Sequence, residues 1–178
     1  MEHILVHCQA APRRQIWALA EELWPHDRNH WPEISLGIIL GCGTITLPPA
    51  ENQENPGDEG TDQRNRNQGA KRLLQILISE AAHLIWVLRC ERVITDEEEE
   101  EDPNPRNQRI HTDREIHSRW LKVINARLTE DKITATRVKR DKTTMQRVKE
   151  TWEPLLKKIA DLPHNWVYNR EVLVGRRT

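Results

Sequence analysis

The residues best suited to binding a metal ion lie at the start of the chain. His3 and Cys8 have the H-x4-C spacing of the second half of a Cys-Cys-His-Cys zinc knuckle. A structural zinc ion takes four ligands, commonly two cysteines from one turn and a His/Cys pair from a second segment. No cysteine pair precedes His3. We therefore expect an incomplete zinc site in a chain cut at its front, with zinc bound only if upstream ligands existed. In the alternative interpretation, residues 4–6 simply pack on the first helix.

Catalytic constellations are not indicated elsewhere. The three serines lie outside any G-x-S-x-G elbow, and Gly41-Cys42-Gly43 lacks the Lys-Ser/Thr of a phosphate-binding loop. Two-metal sites need several carboxylates converging from separate rigid elements. Twelve of the 28 acids fall in residues 48–68 and 96–108, and those in predicted helices are expected to face outward, as at Glu80, Glu91, Asp113 and Glu115. The sequence predicts neither catalytic nor cofactor-binding residues, hence a protein that is not an enzyme and has no small-molecule substrate.

Charge is distributed unevenly between the two halves of the chain. Residues 1–105 contain nine Lys and Arg against 19 Asp and Glu, whereas residues 106–178 contain 18 against nine. Basic side chains that neutralise phosphates release condensed counterions, so the second half could bind RNA or DNA. The predicted phosphate contacts are Arg137, Lys139, Arg140, Lys142, Arg147 and Lys149. The alternative is that these residues are a solvated surface or pair with the acidic half of the same molecule.

Cysteine use and hydropathy indicate the compartment. The three cysteines, Cys8, Cys42 and Cys90, are an odd number in a chain without a signal peptide, which favours reduced thiols. The longest uninterrupted apolar run, Leu84–Leu88, is far shorter than the roughly 20 residues of a membrane span. We expect an intracellular protein, cytoplasmic or nuclear, with no membrane partner.

Apolar periodicity predicts an all-α fold of about five helices around a long central apolar helix, with two disordered insertions. The first helix begins at Pro12 and ends before Pro25, and a two-turn helix covers residues 33–40. A helix capped by Thr112 or Asp113 is expected to break near Thr129–Lys132. Another begins near Thr143 and kinks at Pro154, and the tail 166–174 packs on the core. The large anchors of the core are predicted to be Trp17, Trp86, Trp120 and Trp152.

These elements are expected to form one domain. Its predicted segments are residues 1–47 with the zinc-knuckle remnant and first helices, a disordered linker 48–68, the central helix 69–95, an acidic disordered loop 96–108 and a basic helical region 109–178 that packs on the central helix.

Several blocks together resemble a known family. The chain is similar to the C-terminal region of fungal non-LTR retrotransposon reverse transcriptase proteins, which includes the zinc-binding knuckle and follows the RNase H domain. The blocks that carry this resemblance are residues 1–8 (MEHILVHC), 16–17, 20–24, 31–43 (WPEISLGIILGCG), 79–92 (SEAAHLIWVLRCER), 115–120, 124–129, 162–163, 165–166 and 172–175.

The resemblance implies a product of a retroelement whose full-length relatives copy RNA into DNA and degrade the RNA strand. It maps His3 and Cys8 to zinc ligands, whereas the polymerase and RNase H carboxylates have no counterparts in these residues. The sequence therefore predicts a noncatalytic fragment that binds RNA or DNA through its basic helices. The alternative is a helical module for protein interaction or self-association with no nucleic-acid role.

Overall fold

A computed structural model describes residues 1–9, 11–47, 60–98, 111–137, 142–156, 162–163 and 165–175. Over these residues the fold is all-α and contains no strand, which confirms the predicted fold class. The five α-helices are α1 (Ala11–Glu22), α2 (Leu36–Leu40), α3 (Gly60–Glu98), α4 (Asp113–Arg137) and α5 (Lys142–Trp152). Shorter helical turns are a π-helical turn at His3–His7 and 3₁₀ turns at Arg28–His30, Cys42–Thr44, Glu153–Leu155 and Trp166–Tyr168.

Helix α3 is the centre of the core, because α1, α4, α5 and the opening turn all contact it. Its buried side chains cover much of the helix circumference, which requires cover from several sides. They are Ala70, Leu73, Leu74, Ile76, Leu77, Ile78, Ala81, Ala82, Leu84, Ile85 and Leu88. By length and composition alone, its segment Asn67–Val93 could also cross a membrane, although its longest uninterrupted apolar run is short. Half of its most apolar stretch is buried inside the fold.

Helix α1 presents an apolar face to this core. Ile16, Ala20 and Trp24, spaced four residues apart, are all buried. The opening turn packs beside them through Leu5, whose carbonyl oxygen accepts a hydrogen bond from Trp17 Nε1 at 2.9 Å. The buried indole is therefore satisfied by backbone rather than by water.

Helix α4 begins with a capping box. Thr112 Oγ1 accepts from the Glu115 backbone N–H at 3.3 Å, and Glu115 Oε2 accepts from the Thr112 N–H at 2.8 Å. The predicted break near Thr129–Lys132 is wrong, since α4 is continuous to Arg137. The Thr129 hydroxyl donates to the Asn125 carbonyl within the helix at 2.8 Å. Lys132 donates hydrogen bonds to residues near the end of the chain, and the sequence around Lys132 gives no sign of these contacts.

The end of the chain folds back on α4, as predicted. Trp166, Val167, Val172 and Val174 are buried. Before them, α5 ends at Trp152, and Pro154 lies in the following 3₁₀ turn instead of kinking a continuing helix. Proline has no N–H to donate, so it fits the first turn of such an element. We call residues 165–175 the tail segment.

Two further details differ from the sequence-based expectation. Helix α3 begins at Gly60, nine residues before the predicted start, so residues 60–68 belong to a helix rather than to the linker. Trp86 is 40% exposed and is not a core anchor, whereas Trp17, Trp120 and Trp152 are buried as predicted. The rest of the predicted linker, residues 48–59, and residues 99–108 of the acidic loop lie outside the described residues.

Candidate nucleic-acid interface

The predicted zinc pair lies in the opening turn. The Cys8 backbone N–H donates to the His3 carbonyl at 2.6 Å, so the two residues are neighbours in the backbone. His3 is exposed and Cys8 half-buried. The Arg13 guanidinium donates to the carbonyl oxygens of Cys8 and Val6, which places a permanent positive charge beside the pair. In the described part of the chain no three His, Cys, Asp or Glu residues form a group able to hold a metal. Zinc binding by this pair stays a prediction.

The predicted phosphate contacts do not form one described cluster. Arg137 is exposed at the end of α4, and Arg147 is exposed on α5. Lys149, on the same helix, is half-buried and has an interaction partner. Lys139, Arg140 and the side chain of Lys142 lie outside the described part of the structure.

The helix acids are less uniform than predicted. Asp113 and Glu115 are exposed, but Glu91 is half-buried, and its carboxylate accepts from Arg119 Nη1 at 2.5 Å. Glu80 is also half-buried, and burial raises its pKa, an effect that Arg127 and His83 partly oppose. Outward placement is therefore wrong for these two residues, because α4 packs against the face of α3 that carries Glu91.

A groove that the sequence did not predict lies between α4 and the tail segment. Its volume is about 460 Å³, within the usual range of ligand pockets, about 300–1,000 Å³. The lining residues are Thr129, Lys132, Ile133 and Thr136 from α4 and Val167, Tyr168 and Arg170 from the tail segment. The four residues from α4 share one helix face at spacings of three and four. We call this feature the Lys132 groove.

Two polar side chains of α4 hold the tail segment in place. Lys132 Nζ donates to the carbonyl oxygens of Asn169 at 2.5 Å and Val172 at 3.4 Å. Two helical turns earlier, the Asn125 side-chain amide pairs with the Val174 backbone. It accepts a hydrogen bond from the Val174 N–H at 2.7 Å and donates one to the Val174 carbonyl at 3.1 Å. Because Asn125 and Lys132 are seven residues apart, both project from the same side of α4.

The charges in the groove are all positive. Lys132 and Arg170 line it, and none of the lining residues is acidic. Lys132 is only 6% exposed, and this burial lowers the pKa of its ammonium group. Carbonyl dipoles satisfy two of its donors but supply no counter-charge. An anion entering the groove would therefore stabilise the charged form of Lys132.

An exposed aromatic ring lies beside these charges. Tyr168 is 63% exposed, and Ile133, opposite it on α4, is 43% exposed. The 3₁₀ turn fixes the Tyr168 backbone, whose N–H donates to the Asn165 carbonyl at 3.0 Å, while buried Val167 anchors the turn. An aromatic face next to cations is the arrangement that proteins use to bind single-stranded nucleic acid, by stacking on bases and neutralising phosphates.

Comparison of the chain with protein-family models, with curated proteins and with solved structures gives no match. The resemblance to retrotransposon proteins therefore stays a prediction.

More cations extend the basic face beyond the groove. On α4, Lys122 lies seven residues before Thr129, and Arg137 lies four residues after Ile133; both are exposed. At 1.5 Å per residue, the two are separated by roughly 22 Å along the helix. Of the predicted phosphate contacts whose side chains the structure describes, Arg137 belongs to this face, whereas Arg147 and Lys149 lie on α5. The sequence did contain a signal for this face of α4, since Lys122, Thr129, Ile133 and Arg137 recur at helical spacing and none of them is acidic.

Proposed function

We propose that this protein binds single-stranded nucleic acid, without catalysis, through the Lys132 groove and the flanking cations of α4. The observation that carries the proposal is the exposed Tyr168 ring in a groove whose charged lining residues, among those described, are Lys132 and Arg170. The expected resemblance to a retroelement product is compatible with this role, because such proteins act on RNA and DNA.

The binding energy is expected to have two components. Stacking of a base on an aromatic side chain contributes about 1–3 kcal/mol and tolerates any base. Each phosphate neutralised by Lys or Arg adds a term that weakens with salt, with a slope of about −0.7 per contact for single strands. Duplex nucleic acid, whose bases are already stacked, gains only the second component.

The first test is fluorescence anisotropy with a labelled 15-nucleotide oligo(dT) at low salt. Tyr168→Ala is expected to weaken binding about 5- to 100-fold, whereas Tyr168→Phe retains the ring and binds like the wild type. Since the side chain is exposed, neither change should unfold the protein. Equal binding by all three proteins would contradict a stacking role.

The second test separates the cations of the groove from general surface charge. Arg170→Gln is expected to weaken binding and to reduce the salt slope by about 0.7. The matched control is Arg14→Gln, an exposed arginine on α1 outside the groove, which should leave the slope unchanged. Absence of oligonucleotide binding at low salt would refute the proposal, and cleavage of the oligonucleotide with added magnesium would refute its noncatalytic part.

One observation favours self-association as a second candidate function. Trp86 is 40% exposed on α3, on a face that also exposes Gln75, Ser79 and His83. Large aromatic side chains are enriched in protein interfaces. Light scattering is expected to show a concentration-dependent dimer that Trp86→Ser disrupts, if this face is an interface; a monomer at all concentrations would reject it.

A further inference from the structure

Two threonines line the Lys132 groove, one at each end of the stretch that α4 contributes. Thr129 is exposed and Thr136 is half-buried. Because they are seven residues apart, they lie on one side of α4 and are separated by about 10 Å along the helix axis. Lys132 and Ile133 lie between them. A strand that follows α4 along the groove therefore passes both threonine side chains.

Each threonine hydroxyl already donates its proton to the helix backbone. Thr129 Oγ1 donates to the Asn125 carbonyl at 2.8 Å, and Thr136 Oγ1 donates to the Ile133 carbonyl at 3.0 Å. Such bonds to the preceding turn occur at threonines within helices. A hydroxyl has one proton but two acceptor lone pairs. The two threonines therefore offer a ligand hydrogen-bond acceptors and not donors.

The charged groups of the lining have the opposite character. The Lys132 ammonium and the Arg170 guanidinium can only donate hydrogen bonds, and none of the lining residues is acidic. The groove thus combines donor-only cations with hydroxyl oxygens that accept. A phosphate group matches the cations, because it only accepts. The threonine oxygens require a different group of the ligand, one that donates.

The backbone of RNA contains both groups in every nucleotide. Its phosphate accepts, and its ribose 2′-hydroxyl can donate, whereas deoxyribose has no hydroxyl at that position. We propose that the Lys132 groove selects single-stranded RNA over single-stranded DNA, because Thr129 Oγ1 and Thr136 Oγ1 accept hydrogen bonds from ribose 2′-hydroxyls. This inference rests on the proposed function and names the sugar that the same groove prefers.

Three labelled 15-nucleotide strands with the same base test the proposal on the wild-type protein by fluorescence anisotropy at low salt. Oligo(U) has the 2′-hydroxyl and oligo(dU) lacks it. The 2′-fluoro form of oligo(U) keeps a sugar conformation like that of RNA but has no 2′ proton to donate. Oligo(U) is expected to bind about 2- to 10-fold more tightly than either of the other strands, the gain of one or two neutral hydrogen bonds.

The outcomes separate this inference from the proposed function. Equal binding of oligo(U) and oligo(dU) would overturn selection of RNA but leave binding of single strands intact. If none of the three strands bound, both proposals would be refuted. Binding of the 2′-fluoro strand as tight as that of oligo(U) would show that the groove selects sugar conformation, and the role given to the threonine oxygens would be wrong.

Valine substitutions locate the acceptors. Thr129→Val and Thr136→Val together remove both oxygens and keep the branched shape. The double variant is expected to bind oligo(U) only as tightly as oligo(dU), while its affinity for oligo(dU), which also reports that the groove is folded, stays unchanged. Thr129→Val alone, at the exposed position, should lose part of the preference.

The matched control is Thr134→Val. Thr134 is an exposed threonine of the same helix whose hydroxyl donates to the Glu130 carbonyl at 2.9 Å, but it does not line the groove. This variant should keep the full preference for oligo(U). A preference that persists in both Thr129→Val and the double variant, or one that is lost in Thr134→Val, would overturn the assignment to Thr129 and Thr136.

Discussion

Asp131 and Lys132 are adjacent on α4, and each is 6% exposed, yet their surroundings are opposite. Successive helix residues point about 100° apart, so the two face different neighbours. The Asp131 carboxylate accepts from Arg72 Nη2 at 2.7 Å and from Trp152 Nε1 at 2.7 Å, which joins α3, α4 and α5. Lys132 faces the tail segment, where its described hydrogen bonds go to two carbonyl oxygens.

The difference separates a charge that serves the fold from one that can also bind a ligand. At Asp131 an opposite charge and an indole donor satisfy the carboxylate, and Thr151 Oγ1 accepts a further bond from Arg72 at 3.3 Å. Such a complete network fixes how the helices pack. At Lys132 the ammonium is hydrogen-bonded but not neutralised, and it lines an open groove. Burying a charge in this way is costly unless another function or partner compensates.

The largest effect should come from breaking the Asp131 network. Asp131→Asn keeps the shape but leaves Arg72 without its counter-charge, so we expect the free energy of unfolding to fall by about 3 kcal/mol in urea denaturation. Arg72 is 24% exposed in its side chain, which places the effect at the lower end of the range for buried pairs. Oligonucleotide binding by the folded protein should not change.

The matched control is the adjacent acid Glu130, which is 66% exposed in its side chain and pairs with Arg127 at 3.3 Å. Glu130→Gln is expected to change the free energy of unfolding by no more than about 1 kcal/mol. Similar losses in both variants would show that the Asp131 network has no special part in the fold.

A smaller effect is expected at the amide that holds the tail. Asn125→Ala removes both hydrogen bonds to Val174 and should lower the free energy of unfolding by about 1–2 kcal/mol. Because the tail carries Tyr168 and Arg170, oligonucleotide binding should weaken as well, although Asn125 does not line the groove. Hydrogen exchange at the Val174 amide measures the release directly. Asn29→Ala, at an exposed asparagine of the 3₁₀ turn Arg28–His30, is the control. If the Val174 amide were as protected in Asn125→Ala as in the wild type, Asn125 would not hold the tail segment in place.

These two regions also show what the sequence could predict. The apolar residues of α4, Ile116, Trp120, Ile124 and Leu128, are spaced four apart in the sequence, and all four are buried. The capping residue Thr112 was one of the two predicted. Such features depend on residues within one or two turns, so local periodicity is sufficient.

The Lys132 groove depends on contacts that periodicity does not contain. Lys132 bonds residues 37 and 40 positions later in the chain. Thr129 together with Lys132, just ahead of Ile133, instead indicated a helix break, which the structure does not contain. The spacing of His3 and Cys8 likewise gave a ligand pair but could not show that Arg13 lies beside Cys8. Lys132 is positioned by partners far along the chain, whereas Arg13 is only five residues from Cys8, and neither contact follows from helical periodicity.

The pH dependence of stability tests whether Lys132 is a buried charge without a counter-ion. Burial lowers its pKa below the ordinary 10.5, so the native state binds fewer protons than the unfolded state between the lowered value and 10.5. The stability of the wild type relative to Lys132→Met should therefore rise with pH across that window, by at most about 1.4 kcal/mol per unit. Lys122→Met, at an exposed lysine of the same helix, is the control and should show no such trend. If the difference in the free energy of unfolding between the wild type and Lys132→Met did not change up to pH 10.5, Lys132 would be as well solvated as a surface lysine.

Glu80 is a third case for the comparison. Nearby positive charges oppose the cost of its burial only in part, and it does not line the Lys132 groove. Burial raises its pKa above the ordinary 4.5, and Glu130 adds to this effect while Arg127 and His83 oppose it. The native state therefore holds its proton more tightly, and this contribution to stability is present below pH 4.5 and is lost as the pH rises through the raised value. Glu80→Gln removes the titration, so the variant should gain stability relative to the wild type across that window.

Because Glu80 is only half-buried, solvent screening keeps the gain below about 1 kcal/mol. Urea denaturation between pH 4 and 7, with exposed Glu171→Gln as the control, measures the difference. A gain for Glu80→Gln no larger than that of the control would contradict this expectation. It would show that Arg127 and His83 stabilise the charged carboxylate of Glu80 as fully as Arg72 stabilises that of Asp131.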